Sequence, residues 1–214
     1  MKTPLRGLAA ATLSCWIAAP SPAHALPVIS ELFYDAVGTD DGLLFVELYG
    51  TPGTDLAGYV IQGINGTGGT VTDTIALSGV IPVNGLFVVA DGLSDGTTQV
   101  TDADLISNFD FQNGPDSVVL RAGEALLDAV GYGVFAASDV FAGEGSAAID
   151  PAAGLAIARL FANVDTNDNA SDWGASAPTP GSAPISSVPE PSAAGLIASG
   201  LALLAWQGRA RRGA

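Results

Sequence analysis

The feature that most constrains the fold is a series of short β-branched and aromatic runs, each ended by Gly, Asn, Asp or Pro. These runs predict eight strands, at 28–34, 43–49, 58–62, 72–77, 86–90, 117–121, 125–132 and 156–161. Turn dipeptides such as Asn84-Gly85 and Asn113-Gly114 lie between them. No long helical period occurs, and 102–109 fits either one short helix or a loop. Many short strands with frequent turn signals are typical of an all-β sandwich.

Two glutamates interrupt otherwise apolar strands. Within 45–49 the aliphatic residues share one face and Glu47 lies on the other, which predicts a half-buried strand. Glu31 occupies a similar position in 28–34. A carboxylate in such a strand must be hydrogen-bonded, paired with a cation or exposed to water. Arg159 is the natural partner for both, and two separate solvated carboxylates are the alternative.

Charge is placed very unevenly along the chain. Between the two ends lie 21 of the 22 acidic residues and only two of the seven basic ones, which gives that part a net charge of −19. Such a surface repels phosphate backbones and argues against nucleic-acid binding. It attracts cations, calcium above all, although the charge can also serve solubility alone. The single cysteine, Cys15, lies in the leader described next, so we expect no disulfide in the mature protein.

The N-terminus reads as a signal peptide. Lys2 and Arg6 precede an apolar run at 8–19, and Ala23-His24-Ala25 offers small residues on both sides of a spacer. This order predicts a leader over 1–25 that signal peptidase removes after Ala25. A retained membrane anchor and a lipoprotein modified at Cys15 are the alternatives.

The C-terminus has three parts in a fixed order. Val188-Pro189-Glu190-Pro191 comes first, an apolar helix is predicted at 193–206, and Arg209, Arg211 and Arg212 follow. The apolar run is shorter than the ~20 residues of a full membrane span. The order resembles the PEP-CTERM sorting tail. The resemblance implies contact with the membrane through a short transmembrane helix, then processing by an exosortase and release or attachment at the cell surface. A plain membrane anchor or a buried helix is the alternative.

The order of motifs between the ends resembles the lamin-tail domain of bacterial secreted proteins. The motifs that carry this resemblance are Ile29-Ser30-Glu31-Leu32-Phe33-Tyr34, Phe45-Val46-Glu47-Leu48-Tyr49, Asp55-Leu56-Ala57-Gly58-Tyr59, Ile81-Pro82-Val83-Asn84-Gly85-Leu86-Phe87-Val88-Val89, Asn113-Gly114-Pro115-Asp116-Ser117-Val118-Val119-Leu120, Asp128-Ala129-Val130-Gly131-Tyr132, Arg159 and Pro178-Thr179-Pro180-Gly181. The resemblance implies an immunoglobulin-like β-sandwich. We therefore expect a lamin-tail-like domain at 26–181, a linker at 182–187 within the Pro/Ser/Ala-rich stretch 175–187, and the sorting tail at 188–214.

The residues available for catalysis are few. After cleavage at Ala25 the chain contains no His, Cys or Lys. This excludes Ser-His-Asp and Cys-His sites, Schiff-base lysines and His- or Cys-ligated zinc. We therefore expect a non-enzymatic binding or structural module, with extracellular polysaccharide or surface proteins as partners. An accessory carboxylate-dependent hydrolase or carbohydrate-active protein is the alternative.

One loop has the composition of a calcium site. Asp165, Asn167 and Asn169 alternate along the loop, and Asp172 follows. Calcium binds ~6–8 oxygen ligands, which carboxylates and amides can supply. The same residues are typical of a loop held by Asx turns, without a metal, and this is the alternative.

Overall fold

The computed structural model describes residues 26–186. It contains ten strands and one four-residue helix. In chain order these are β1 (Val28–Phe33), β2 (Phe45–Tyr49), β3 (Tyr59–Asn65), β4 (Val71–Ala76), β5 (Leu86–Asp91), β6 (Leu105–Ser107), β7 (Asp116–Ala122), β8 (Ala125–Tyr132), β9 (Ala156–Arg159), α1 (Asn169–Asp172) and β10 (Trp173–Ser176). The predicted signal peptide and the predicted sorting tail lie outside the described residues.

The strands form two sheets around one hydrophobic core. The first has six strands in the order β10-β9-β1-β2-β5-β6, and the second has four in the order β4-β3-β7-β8. All neighbours are antiparallel except β5 and β6, which are parallel. Leu32 and Val46 from the first sheet and Ile61 and Val130 from the second all belong to the shared core. This two-sheet, all-β arrangement is consistent with a β-sandwich.

All eight predicted strands are present, and two further strands were not predicted. Strand β6 lies within 102–109, so the short-helix option for this segment is wrong. The segment is extended because two hydrogen bonds join its start to β5. The Asp104 amide donates to the Val88 carbonyl, and the Val88 amide donates to Asp104 Oδ2, each at 2.9 Å. The other unpredicted strand, β10, pairs with β9 at one edge of the six-stranded sheet.

The central strands of the first sheet are buried on both faces. Phe45 is 1% exposed and Glu47 is fully buried, so the prediction of a half-buried strand at 45–49 is wrong. The second face is buried because the chain after β10 covers it. We call residues 177–186 the C-terminal strap, and hydrogen bonds join this strap to β1 and β2 on the face that the sequence assigns to water.

The strap occupies most of the segment that composition marks as a linker. Residues 175 and 176 belong to β10 and pair with Ile157 and Ala156 of β9. The remainder is hydrogen-bonded to the domain as far as Ser186, the last residue that the structure describes. Within residues 26–186 no helix has the length and apolar character needed to cross a membrane.

Candidate functional site

The predicted sorting and cleavage residues lie outside the described part of the chain. They are Val188, Pro189, Glu190, Pro191, Arg209, Arg211 and Arg212 at one end, and Ala23 and Ala25 at the other. The structure does describe how the domain holds the chain that leads to the sorting motif.

Two carboxylates from neighbouring strands hold the strap. Glu31 on β1 and Glu47 on β2 are paired directly across the sheet. Glu31 accepts hydrogen bonds from the Thr179 amide at 2.8 Å and from the Thr179 hydroxyl at 2.7 Å. Glu47 accepts from the Gly181 amide at 2.7 Å and from the Ser30 hydroxyl at 2.8 Å. Neither glutamate pairs with Arg159 and neither is solvated, so both sequence-based interpretations of these carboxylates are wrong.

Burial controls the protonation of this pair. It raises the pKa of Glu31, against the opposing effect of the hydrogen bonds from Thr179. It also raises the pKa of Glu47 to about 7, and the nearby carboxylates of Glu31 and Asp104 add to this rise. Two buried acids on adjacent strands disfavour each other's ionisation. One of the two groups that hold the strap, Glu47, therefore changes its charge near neutral pH.

A second attachment holds the end of the strap. The Asn163 side-chain amide donates to the Ser186 carbonyl at 2.8 Å, and the Ser186 amide donates to Asn163 Oδ1 at 2.7 Å. One residue earlier in the loop, the Ala162 amide donates to the Pro184 carbonyl at 2.8 Å. We call these three bonds the exit clasp. They fix the point at which the chain leaves the domain towards the sorting motif.

Arg159 is the centre of a buried network at the same end of the domain. Its guanidinium lies 2.7 Å from Asp128, 3.0 Å from Asp172 and 3.3 Å from Asp165. Arg159 also donates to the Ile29 carbonyl at 2.8 Å, and its Cζ lies 5.0 Å from the centroid of the Trp173 ring. Sequence analysis missed Asp128 as a partner. A charged residue within the apolar run of β8 was the available signal.

The four residues predicted to bind calcium do not share one centre. Asp165 and Asp172 meet at Arg159, and Asp172 also accepts hydrogen bonds from the Thr166 amide and hydroxyl. The Asn169 side chain instead holds β8, because it accepts from the Gly131 amide and donates to the Ala129 carbonyl.

The Asn167 amide donates to Asp165 Oδ1 at 3.0 Å, which is an Asx turn. The calcium site and the Asx-turn loop are thus two interpretations of these residues that a calcium titration separates.

A different group of acids lies close together here. One carboxylate oxygen each from Asp128, Glu144 and Asp165 fall within 4.8 Å of one another. Burial raises the pKa of Glu144 to about 7, and the carboxylates of Asp128, Asp165 and Asp172 add to the rise while Arg159 opposes it. Glu144 Oε2 is buried and has no hydrogen-bond partner. No sequence pattern indicates this group, because its members are far apart along the chain.

An acidic cavity lies elsewhere in the domain, beside the end of β5. It has a volume of about 490 Å³, and its lining includes Asp40, Asp41, Asp91 and Asp110. Asp91 is already engaged, since its two oxygens accept from the Gly42 and Phe109 amides. Burial raises the pKa of Asp110, with further contributions from the surrounding aspartates. This cavity offers hydrogen-bond acceptors and no cationic side chain.

Comparison with known proteins bears on the C-terminal end alone. The family model described as the PEP-CTERM protein-sorting motif matches residues 187–212. No curated protein and no solved structure matches the chain. The predicted sorting motif is thus confirmed. Such a motif indicates a protein that an exosortase-type enzyme processes and that is exported to the cell envelope or surface.

Proposed function

We propose that this protein is a non-enzymatic binding or structural module of the cell surface or extracellular matrix. In this proposal signal peptidase removes residues 1–25, a lamin-tail-like domain with an immunoglobulin-like fold follows, and an exosortase removes the C-terminal tail. The match of the sorting motif to residues 187–212 is the observation that carries the proposal. The absence of His, Cys and Lys from 26–186 supports a role that needs no nucleophile–base pair.

Polysaccharide is the partner class that the surface of the domain favours. The cavity that Asp40, Asp41 and Asp110 line presents carboxylate acceptors, and sugar hydroxyls are donors that fit them. The net charge of −19 opposes binding to polyanions such as nucleic acid. A pull-down with neutral and acidic glycans therefore tests this part. Retention of neutral glycans supports it, and loss of retention in Asp110→Asn would place the contact in this cavity.

The sorting step has a direct test. Replacing Pro189-Glu190-Pro191 with three alanines should leave the chain in the inner membrane, because the enzyme loses its recognition sequence. The surface-released form of the natural protein should lack residues 196–214. Intact-mass analysis decides this point, and a released form that still contains Arg211 and Arg212 contradicts the proposal.

A second candidate function rests on Glu144. A carboxyl group with a pKa of about 7, close to two other carboxyl groups, is the arrangement that a general acid requires. The alternative is therefore an accessory carboxylate-dependent hydrolase or carbohydrate-active protein. Hydrolysis of a bound glycan by the natural chain, lost in Glu144→Gln, would favour this alternative over the non-enzymatic module.

A further inference from the structure

The chain between the folded domain and the sorting motif is very short. Ser186 is held by Asn163 at 2.7 and 2.8 Å, and Pro189 follows only three residues later. Even a fully extended chain covers at most ~3.6 Å per residue, so Pro189 lies within about 11 Å of Ser186. An enzyme that holds the Pro-Glu-Pro sequence must therefore lie against the face of the domain that carries the exit clasp.

That face carries large apolar side chains around the clasp. Leu160 is 56% exposed, Phe161 is 46% exposed and Ile185 is 47% exposed. We call these three residues the exit patch. Phe161 is the one aromatic among the large apolar residues that are exposed within 26–186. Beside it lies a cavity of about 180 Å³, which Leu160 and Phe161 line together with Val164. Exposed aromatic and aliphatic side chains beside a concave surface are typical of protein contacts.

The exit patch is fixed by bonds beneath it. The Leu160 amide donates to the Asp172 carbonyl at 2.8 Å, and Ala162, which follows Phe161, is fully buried. Arg159 also donates to the Val164 carbonyl at 3.2 Å. A loop held at this many points loses little conformational entropy when a partner binds. The position of the exit patch on the domain is therefore set before a partner binds.

We propose that the exit patch is a docking surface for the exosortase-type enzyme that processes the tail. This inference rests on the proposed function, because it names a second contact made by the same enzyme. The partner surface has an apolar centre that accepts Phe161 and Leu160 and a basic rim, since Asp165 and Asp168 lie in the same loop region and both carry exposed surface. A bilayer with anionic headgroups fits less well, because those carboxylates oppose its charge.

The short connection makes the two contacts act together. Once the exit patch is docked, the sorting motif is held near the active site at a high effective concentration. The enzyme thereby recognises a folded domain and a sequence motif at once. A chain with the motif but without the docked domain would be processed more slowly.

The test follows tail removal in cells that contain the sorting enzyme. The full chain with Leu160→Ser and Phe161→Ser should lose its tail about tenfold more slowly than the natural chain in a pulse-chase experiment read by intact mass. A matched control carries Val83→Ser and Val134→Ser, which are 93% and 90% exposed in other loops and should leave the rate unchanged. The melting temperatures of both variants check that the domain is folded.

The outcomes separate this inference from the proposed function. Natural processing rates in the patch variant overturn the docking surface, while a block by the triple-alanine change keeps the sorting function intact. Processing that survives the triple-alanine change contradicts the sorting function itself. Binding of the released domain to phosphatidylethanolamine–phosphatidylglycerol vesicles, lost on Phe161→Ser, would assign the patch to the bilayer and overturn its assignment to the enzyme. A flexible ten-residue insertion after Ser186 gives a further check, because it should remove most of the difference between the patch variant and the natural chain.

Discussion

The guanidinium of Arg159 lies 2.7 Å from the carboxylate of Asp128, and this pair joins the two sheets of the domain. Arg159 ends β9 in the first sheet and Asp128 lies on β8 in the second. The other oxygen of Asp128 accepts a hydrogen bond from the Ile29 amide of β1 at 2.5 Å. A single acid thus contacts two strands of the opposite sheet, and neither of the paired side chains is exposed to water.

Removing the arginine should destabilise the domain strongly. Arg159→Met leaves Asp128 and Asp172 as buried carboxylates without their cation. Breaking a buried pair from one side costs about 3–5 kcal/mol of unfolding free energy. Urea denaturation measures this loss. Arg121→Met is the matched control, since Arg121 makes no ion pair within residues 26–186, and an equal effect of the two changes would contradict the prediction.

The pH dependence of stability should report on Glu47. Its pKa is about 7 in the folded domain, above the ordinary glutamate value of 4.5, so the folded state binds the proton more tightly than the unfolded state. Stability from this group is therefore greatest at acid pH and falls as the pH rises between about 4.5 and about 7. Glu31 and Asp104 face Glu47 and strengthen the trend.

Glu47→Gln should flatten this trend, because glutamine keeps the buried shape and carries no titrating charge. Melting temperatures at pH 5 and pH 8 measure the change. Glu124→Gln removes the same charge from an exposed turn and controls for general repulsion within the acidic domain. A slope in Glu47→Gln equal to that of the natural chain would show that another group carries the dependence.

Calcium should have little effect on the 165–172 loop. Arg159 already supplies positive charge to Asp165 and Asp172, and the amide of Asn169 is used by Gly131 and Ala129. Millimolar calcium is therefore expected to leave the melting temperature within about 1 °C, since only an ion that binds the folded state raises it. A larger rise that Asp165→Ala abolishes would establish the calcium interpretation instead.

The mature N-terminus should be Leu26. Ala23 and Ala25 supply the small residues that signal peptidase requires, and strand β1 begins at Val28, two residues after Leu26. N-terminal sequencing of exported protein checks this prediction. A chain that begins at Met1 or at a lipidated Cys15 would contradict it.

Alternation and turn signals were sufficient for most of the strands but not for their pairing. The eight predicted strands have β-branched or aromatic residues in sufficient number to mark them. The two others do not: Leu105–Ser107 has three residues, and Trp173–Ser176 contains glycine and small side chains. The parallel pairing of β6 with β5 depends on Asp104, whose bond to Val88 spans 16 residues. No local pattern records a contact of that separation.

The candidate site was harder to predict from the sequence than the strands, because the fold determines which charged residues meet. The part of the chain between the two ends contains 21 carboxylates that could pair with Arg159, and the sequence favoured Glu31 and Glu47 as its partners. The structure places those two beneath the strap and gives Arg159 to Asp128, Asp165 and Asp172. The sorting motif was predictable because it is defined by the order of residues along the chain and does not depend on the fold.

The position of β10 has a consequence for the timing of maturation. An exported chain emerges from the membrane with its N-terminus first, so Trp173–Ser176 and the strap are among the last residues of the domain to arrive. The six-stranded sheet cannot gain its edge strand, nor Arg159 its contact with Asp172, before then. The sorting motif follows directly behind. The domain is consequently completed at the same stage of export at which the motif reaches its enzyme. A chain that stalls during export has neither a complete domain nor an accessible motif.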